Sequence, residues 1–231
     1  MVLNRQALES KLLQQLLAHP ELDFDIWSDE RLAQSIRETL QRQSTKELWI
    51  FAYGSLIWNP LFDYCDRSTV TIAGWHRQFS LLAPVGRGTI DNPGLVLGLE
   101  EKKGGCCEGV AYRLPIDENL ESELLLLWRR EMVVGSYIPT WIIGKNGDRD
   151  LEVLTFVVNS QHPVYVNWST EKIVESLATA KGSLGSSAEY LCNTVKGLRS
   201  AGIEDKELIE LDNAVKNRQQ ILSLVKSESE E

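Results

Sequence analysis

The sequence predicts an α+β protein in which most strands precede most helices. From residue 48 onward, short apolar runs separated by glycine and proline indicate strands. Residues 171–181, 187–201 and 206–224 close the chain with helical periodicity. Because strands and helices are segregated, we expect a curved mixed sheet or barrel with helices packed on it.

The first 47 residues predict a helical extension. Two sets of apolar residues recur at the i+4 spacing of a helix: Leu8, Leu12 and Leu16, then Leu32, Ile36 and Leu40. Ser28 can cap the second helix, and His19-Pro20 separates the two. The polar stretch 42–47 predicts a hinge. We therefore expect an extension over 1–47, a main domain over 48–225 and a disordered acidic tail over 226–231.

The main domain should contain strands joined by glycine-rich turns. The apolar segments that predict strands are residues 48–53, 69–73, 78–83, 95–99, 109–114, 137–143 and 151–158. Gly104-Gly105 predicts a turn, and Asn146-Gly147 predicts a hairpin between the last two strands. Residues 117–132 have helical periodicity and precede that hairpin.

Composition excludes several classes of partner. The chain of 231 residues carries 24 basic and 33 acidic side chains, a net charge of −9. Nucleic-acid and anionic-membrane surfaces need clustered Lys and Arg, so we expect neither partner. No apolar run approaches the ~20 residues of a membrane span, and the N-terminal segment is not typical of a signal peptide. We expect a cytoplasmic protein, either monomer or dimer, whose four cysteines are free thiols.

The first candidate site follows the first strand directly. It comprises Tyr53, Gly54, Ser55, Leu56, Ile57 and Trp58. Glycine permits close approach of a ligand to the backbone, and successive N–H groups in such a turn can hold a carboxylate or an oxyanion. An ordinary strand-ending turn remains the alternative. Ser55 is a weaker candidate as a nucleophile, because the G-x-S-x-G pattern is absent.

The second candidate is Glu131, which shares a helical face with Leu124, Leu127 and Trp128. A carboxylate on an apolar face either pairs with a cation or lies in a cleft with a raised pKa. The alternative is a helix-end glutamate that turns outward or pairs with a neighbouring arginine. The residues alone leave both interpretations open.

Two further residues are candidates for ligand contacts. The loop 85–94 lacks the G-x-G-x-x-G spacing and leads into a strand, which excludes a phosphate-binding loop. Arg87 in this loop could reach a ligand carboxylate, although a surface position is the simpler interpretation. Tyr190 could direct its hydroxyl into a cleft or simply pack. The three histidines form no ligand pattern, so we expect no metal site.

Several segments resemble, in order, the motifs of the ChaC-type γ-glutamylcyclotransferases. They are WIFAYGSLIW (residues 49–58), GWHRQF (74–79), GRGT (86–89), PG (93–94), GVAYRLP (109–115), LWRREM (127–132) and AEYL (188–191). The helical extension and the link 132–137 are similar to the bacterial branch of that family.

The resemblance implies a γ-glutamylcyclotransferase-like mixed β-barrel flanked by helices. It implies a cytoplasmic lyase that converts glutathione to 5-oxoproline and cysteinylglycine without a cofactor. The family's catalytic glutamate falls on Glu131, its substrate loop on residues 53–58, and a tyrosine of the same cleft on Tyr190. Other γ-glutamyl compounds as substrates, or a non-catalytic γ-glutamyl-binding protein, remain alternatives.

Overall fold

A computed structural model describes residues 3–228, and five of its strands close into a barrel in the order β1-β3-β2-β4-β5. The strands are β1 (Leu48–Ala52), β2 (Asp66–Ala83), β3 (Gly94–Leu114), β4 (Tyr137–Asn146) and β5 (Arg149–Val158). β1 pairs antiparallel with β3, and parallel with β5 where Ile50 lies opposite Leu154. The predicted mixed barrel is therefore confirmed.

Each of the two longest strands unites two of the predicted ones. β2 contains residues 69–73 and 78–83, and β3 contains residues 95–99 and 109–114. The turn predicted at Gly104-Gly105 is wrong, because the chain forms a bulge there: Trp75 pairs with Glu101, but Ala73 pairs with Cys106. Gly74 (φ +85°) and Gly104 (φ +74°) take backbone angles that favour glycine. These glycines bend the paired strands without ending them.

The helices occupy the expected regions with two differences. They are α1 (Arg5–Glu9), α2 (Leu12–Leu17), α3 (Asp29–Leu40), α4 (Leu120–Glu131), α5 (Thr170–Thr179), α6 (Ser187–Ser200) and α7 (Lys206–Glu228). The first predicted helix is divided, because Lys11 lies at φ +58° between α1 and α2. α7 includes residues 226–228, so the start of the predicted tail is helical; residues 229–231 lie outside the described residues.

Two short elements were not predicted from the sequence. A 3-10 helix covers Ser55–Ile57, and a small hairpin joins β6 (Lys181–Gly182) to β7 (Gly185–Ser186). The hairpin predicted at Asn146-Gly147 is confirmed, with Gly147 at φ +58° between β4 and β5.

None of the helices formed by residues 3–228 is long and apolar enough to cross a membrane.

α4 lies between the barrel and the N-terminal extension. Trp128 is fully buried; its ring packs edge-on against Phe156 of β5, with the centroids 5.1 Å apart. On the other side, its Nε1 donates a hydrogen bond of 3.1 Å to Ser35 Oγ of α3. Arg129 forms an ion pair of 2.8 Å with Asp29. Contacts on both sides therefore fix the end of α4, where Glu131 lies.

Candidate active site

Glu131 lines a narrow cavity of about 20 Å³ together with Tyr53, Gly54, Ser55, Leu56 and Tyr190. A larger cavity of about 210 Å³ shares four of the lining residues with the first: Ser55, Glu131, Tyr137 and Tyr190. Trp58 and Arg87 also line the larger cavity. Except for Ile57, all the residues predicted for the site therefore line one or both of these two adjoining cavities.

The Glu131 carboxyl is buried beside a single arginine. Its side chain is 12% exposed, and Arg130 Nε lies 3.0 Å from Oε1. Burial raises the pKa of Glu131, and the positive charge of Arg130 opposes that rise without cancelling it. Both interpretations left open by the sequence therefore apply, because the carboxyl is paired with a cation and also enclosed in a cleft.

Arg130 also connects the glutamate to the loop after β1. Its Nη2 donates a hydrogen bond of 2.9 Å to Ser55 Oγ, and its Nη1 donates to the carbonyl of Asn59. The sequence identified Arg130 only as a possible ion-pair partner. Its contacts with a loop more than 70 positions earlier depend on the closure of the barrel, so no local pattern could reveal them.

The loop after β1 leaves three consecutive amide groups unused. The N–H groups of Ile57 and Trp58 donate within the 3-10 turn, to the carbonyls of Gly54 and Ser55. Within residues 3–228, no acceptor is found for the N–H groups of Gly54, Ser55 and Leu56. These groups belong to the part of the loop that lines the cavity with Glu131. They are the available donors for a carboxylate or an oxyanion.

Close approach of Tyr190 explains the glycine in this loop. A Cβ added to Gly54 would lie 3.0 Å from the Tyr190 hydroxyl oxygen, which is tighter than ordinary contact. The Tyr190 ring packs edge-on against Trp58 and Phe79, with centroids 6.0 Å and 5.9 Å away. Tyr190 therefore holds a fixed position across the cavity from the loop.

Tyr137, which the sequence did not single out, also lines both cavities. Its hydroxyl donates a hydrogen bond of 2.8 Å to the Leu97 carbonyl, and Tyr53 donates one of 2.7 Å to the Phe156 carbonyl. Burial raises the pKa of both phenols, so both stay neutral. The one available signal was the position of Tyr137 at the end of the link 132–137.

Arg87 lies at the cavity rather than on the surface, since its side chain is only 16% exposed. Its guanidinium carbon is 5.9 Å from the Trp58 ring centroid and 5.7 Å from that of Tyr190. Its Nη1 lies 3.9 Å from Glu189 Oε2 and donates a hydrogen bond of 3.4 Å to the Ser186 carbonyl. With these long contacts, the guanidinium remains available to a carboxylate in the larger cavity.

Ile57 faces away from the two cavities. It lines a separate surface depression, and its carbonyl accepts a hydrogen bond of 2.9 Å from Tyr112 Oη. This contact fixes the end of the 3-10 turn against β3.

Across the described residues, no group of three or more His, Cys, Asp or Glu side chains is arranged to hold a metal ion.

Comparison with known proteins agrees with this arrangement. The model of the ChaC-like protein family matches residues 48–218. A protein of Escherichia coli (strain K12), named glutathione-specific gamma-glutamylcyclotransferase, is 42% identical over 194 residues, covering 83% of each chain. Human glutathione-specific gamma-glutamylcyclotransferase 1 is 33% identical over 174 residues, covering 73% of this chain and 78% of the human one.

Solved structures support the fold. A crystal structure of a gamma-glutamyl cyclotransferase specific to glutathione from yeast superposes with a TM-score of 0.67 at 22% identity. The superposition covers 76% of this chain and 97% of the yeast chain. Family model, relatives and fold agree over the part of the sequence that builds the barrel and carries Glu131. The chain belongs to the ChaC-like family.

Proposed function

We propose that this protein is a γ-glutamylcyclotransferase that acts on glutathione and releases 5-oxoproline and cysteinylglycine. The observation that carries the proposal is a buried carboxyl with a raised pKa, Glu131, beside a loop with three unused N–H groups. The glutathione-specific relatives from Escherichia coli and human support the choice of substrate.

Glu131 acts as the base and then as the acid. The α-amine of the γ-glutamyl group is an ammonium near neutral pH and must lose a proton before it attacks. A carboxyl with the ordinary pKa is a poor acceptor for that proton, and burial moves Glu131 toward the useful range. The amine then attacks the γ-carbonyl, closing a five-membered lactam. Glu131 passes its proton to the departing nitrogen of cysteinylglycine as the amide C–N bond breaks. The restored carboxylate then accepts the second proton, which the lactam nitrogen loses, and releases it to solvent.

The loop after β1 stabilises the negative charges of the substrate. The N–H groups of Gly54, Ser55 and Leu56 bind the glutamyl carboxylate and the oxyanion that develops on the γ-carbonyl. A donor placed at an oxyanion contributes roughly 3–4 kcal/mol to transition-state stabilisation. Backbone donors suffice for this task, so Ser55 does not act as a nucleophile; its hydroxyl accepts the hydrogen bond from Arg130.

The substrate extends from Glu131 into the larger cavity. The γ-glutamyl group lies beside Glu131 and Tyr190, which line both cavities, and Tyr190 holds it in the folded conformer that brings amine and carbonyl together. Cysteinylglycine extends into the larger cavity, where Arg87 pairs with the terminal carboxylate. These steps use only side chains and amides of this chain. A cytoplasmic location suits an enzyme of glutathione, and all four cysteines are free thiols.

The direct test is to incubate the purified protein with glutathione and quantify 5-oxoproline by mass spectrometry. We expect Glu131→Gln to lose turnover. Glu121→Gln, an exposed change in the same helix, should retain it. Wild-type protein that yields no 5-oxoproline would refute the activity, and full activity of Glu131→Gln would refute the role of Glu131. Equal kcat/KM values for γ-glutamylalanine and glutathione would contradict glutathione specificity.

A further inference from the structure

The N-terminal extension forms part of the wall of the larger cavity. Leu3, Leu13, Leu17 and Phe24 line that cavity together with Glu131 and Arg87. The match to the family model begins at residue 48, so this apolar wall lies outside the matched segment. The extension therefore contacts the same space that we assign to the departing part of the substrate.

α2 is loosely packed, in contrast to its neighbours. None of its side chains is buried, whereas Leu8 of α1 and Leu32 of α3 are. Leu13 and Leu17 lie four positions apart, so they share one face of the helix. Both are half-buried and line the cavity, so the side of α2 that bears them has apolar surface that a ligand can cover.

Ion pairs fix α2 relative to the helix that carries Glu131. Lys11, which directly precedes α2, lies 2.6 Å from Asp29 Oδ2, and Arg129 of α4 lies 2.8 Å from the same oxygen. The hydrogen bond from Arg129 lowers the pKa of Asp29 to about 2, so these pairs persist at neutral pH. The apolar wall thus has a defined position with respect to the reacting carboxyl.

We propose that Leu13 and Leu17 form a specificity subsite for the residue joined to the γ-glutamyl group, and that the subsite accepts an uncharged side chain of about the size of cysteine. This inference rests on the proposed function. Glu131 lines both cavities and fixes the position of the reacting amide, so the next side chain lies in the larger cavity, whose wall α2 helps to form. A charged side chain would lose its hydration against two leucines, whereas a thiol packs there as a small hydrophobic group.

The test compares two double variants of the same helix. Leu13→Ala/Leu17→Ala removes the wall, and Leu12→Ala/Leu16→Ala makes the same change at half-buried positions that do not line the cavity. We expect the first to raise KM for glutathione about ten-fold with kcat nearly unchanged, since it removes contacts made equally by substrate and transition state. The second should leave both constants unchanged. Circular dichroism and melting temperature establish that both variants fold.

γ-Glutamylglycine separates a subsite from a structural effect. It has no side chain at the residue joined to the γ-glutamyl group, so removal of the wall should leave its KM, or its inhibition constant against glutathione, unchanged. Should Leu13→Ala/Leu17→Ala not fold, Leu17→Asn, which keeps the branched shape and the number of heavy atoms, should raise KM for glutathione while Leu16→Asn does not. An equal loss with both substrates, or equal KM values in the paired variants, overturns the subsite. Absence of 5-oxoproline from the wild type refutes the proposed function instead.

Discussion

Replacement of Arg130 by glutamine should shift the pH dependence of the reaction. Arg130 Nε lies 3.0 Å from Glu131 Oε1, and the two side chains are only 6% and 12% exposed. An opposite charge this close favours the ionised form of a carboxyl, and solvent screens this pair only weakly because both side chains are buried. Without the cation, the pKa of Glu131 should rise further above its already raised value, because burial would then act unopposed.

The assay is kcat/KM for glutathione across the pH range, because this ratio reports ionisations of the free enzyme. Glu131 must be deprotonated to act as the base, so the rate falls as pH decreases through its pKa. In the wild type this acid-side limb of the pH profile should be centred above the ordinary carboxyl pKa of 4.5. In Arg130→Gln this decrease should begin at higher pH, so kcat/KM should fall by at least about ten-fold on the acid side and much less at high pH.

Two control variants make the result specific. Arg130→Lys retains a cation at the site and should keep the limb close to its wild-type position. Arg129→Gln removes the neighbouring cation, which pairs with Asp29 instead of Glu131, and should not move it. An Arg130→Gln variant that loses the same factor at every pH would show that Arg130 only positions the loop. A wild-type limb near 4.5 would refute the raised pKa of Glu131.

Three further predictions concern the loop, the extension and their anchors. Gly54→Ala should lower kcat/KM about ten-fold, because the added Cβ displaces the Tyr190 hydroxyl. In a variant that also carries Tyr190→Phe, Gly54→Ala should cause little further loss. Additive losses in that double variant would contradict a clash between Cβ and the hydroxyl. Glu123→Ala removes the partner of a partly exposed arginine and should lower the free energy of unfolding by about 2 kcal/mol at neutral pH. Burial raises the pKa of Glu123, but the hydrogen bonds that Glu123 accepts outweigh burial and lower it below 4.5. The loss of unfolding free energy in Glu123→Ala, measured by denaturation, should therefore shrink as pH falls below 4.5. A deficit that persists in acid would refute that account. Deletion of residues 1–43 uncovers Trp128 and should cause precipitation or a clear loss of melting temperature; an unchanged melting temperature would show that the extension does not brace the fold.

The sequence was sufficient to predict the fold class, because local patterns mark strands and helices independently. The hairpin at Gly147 followed from Asn-Gly alone. The continuity of β3 through Gly104-Gly105 could not be predicted from the sequence. Glycine pairs occur in both turns and bulges, and only pairing with the neighbouring strand β2 decides between them. The division of the first helix at Lys11 was likewise invisible, because the apolar spacing continues across it.

For the site, the sequence indicated residue types but not their neighbours. Glu131 stood out because a carboxylate interrupts an apolar face. The bonds from Arg130 to Ser55 and Asn59 join segments that meet only when the barrel closes, so no spacing rule predicts them. The placement of Arg87 beside the rings of Trp58 and Tyr190 has the same origin. The roles assigned to these residues remain predictions.

Glu131 is the last residue of α4, and that position has an electrostatic consequence of its own. The aligned peptide dipoles of a helix place about half a negative charge at its C-terminal end. This partial charge disfavours a second negative charge there and so strengthens the carboxyl as a proton acceptor. Burial is the largest cause of the raised pKa of Glu131, and we expect the backbone of α4 to add to it. That addition should persist through side-chain substitutions that leave the last turn of the helix intact.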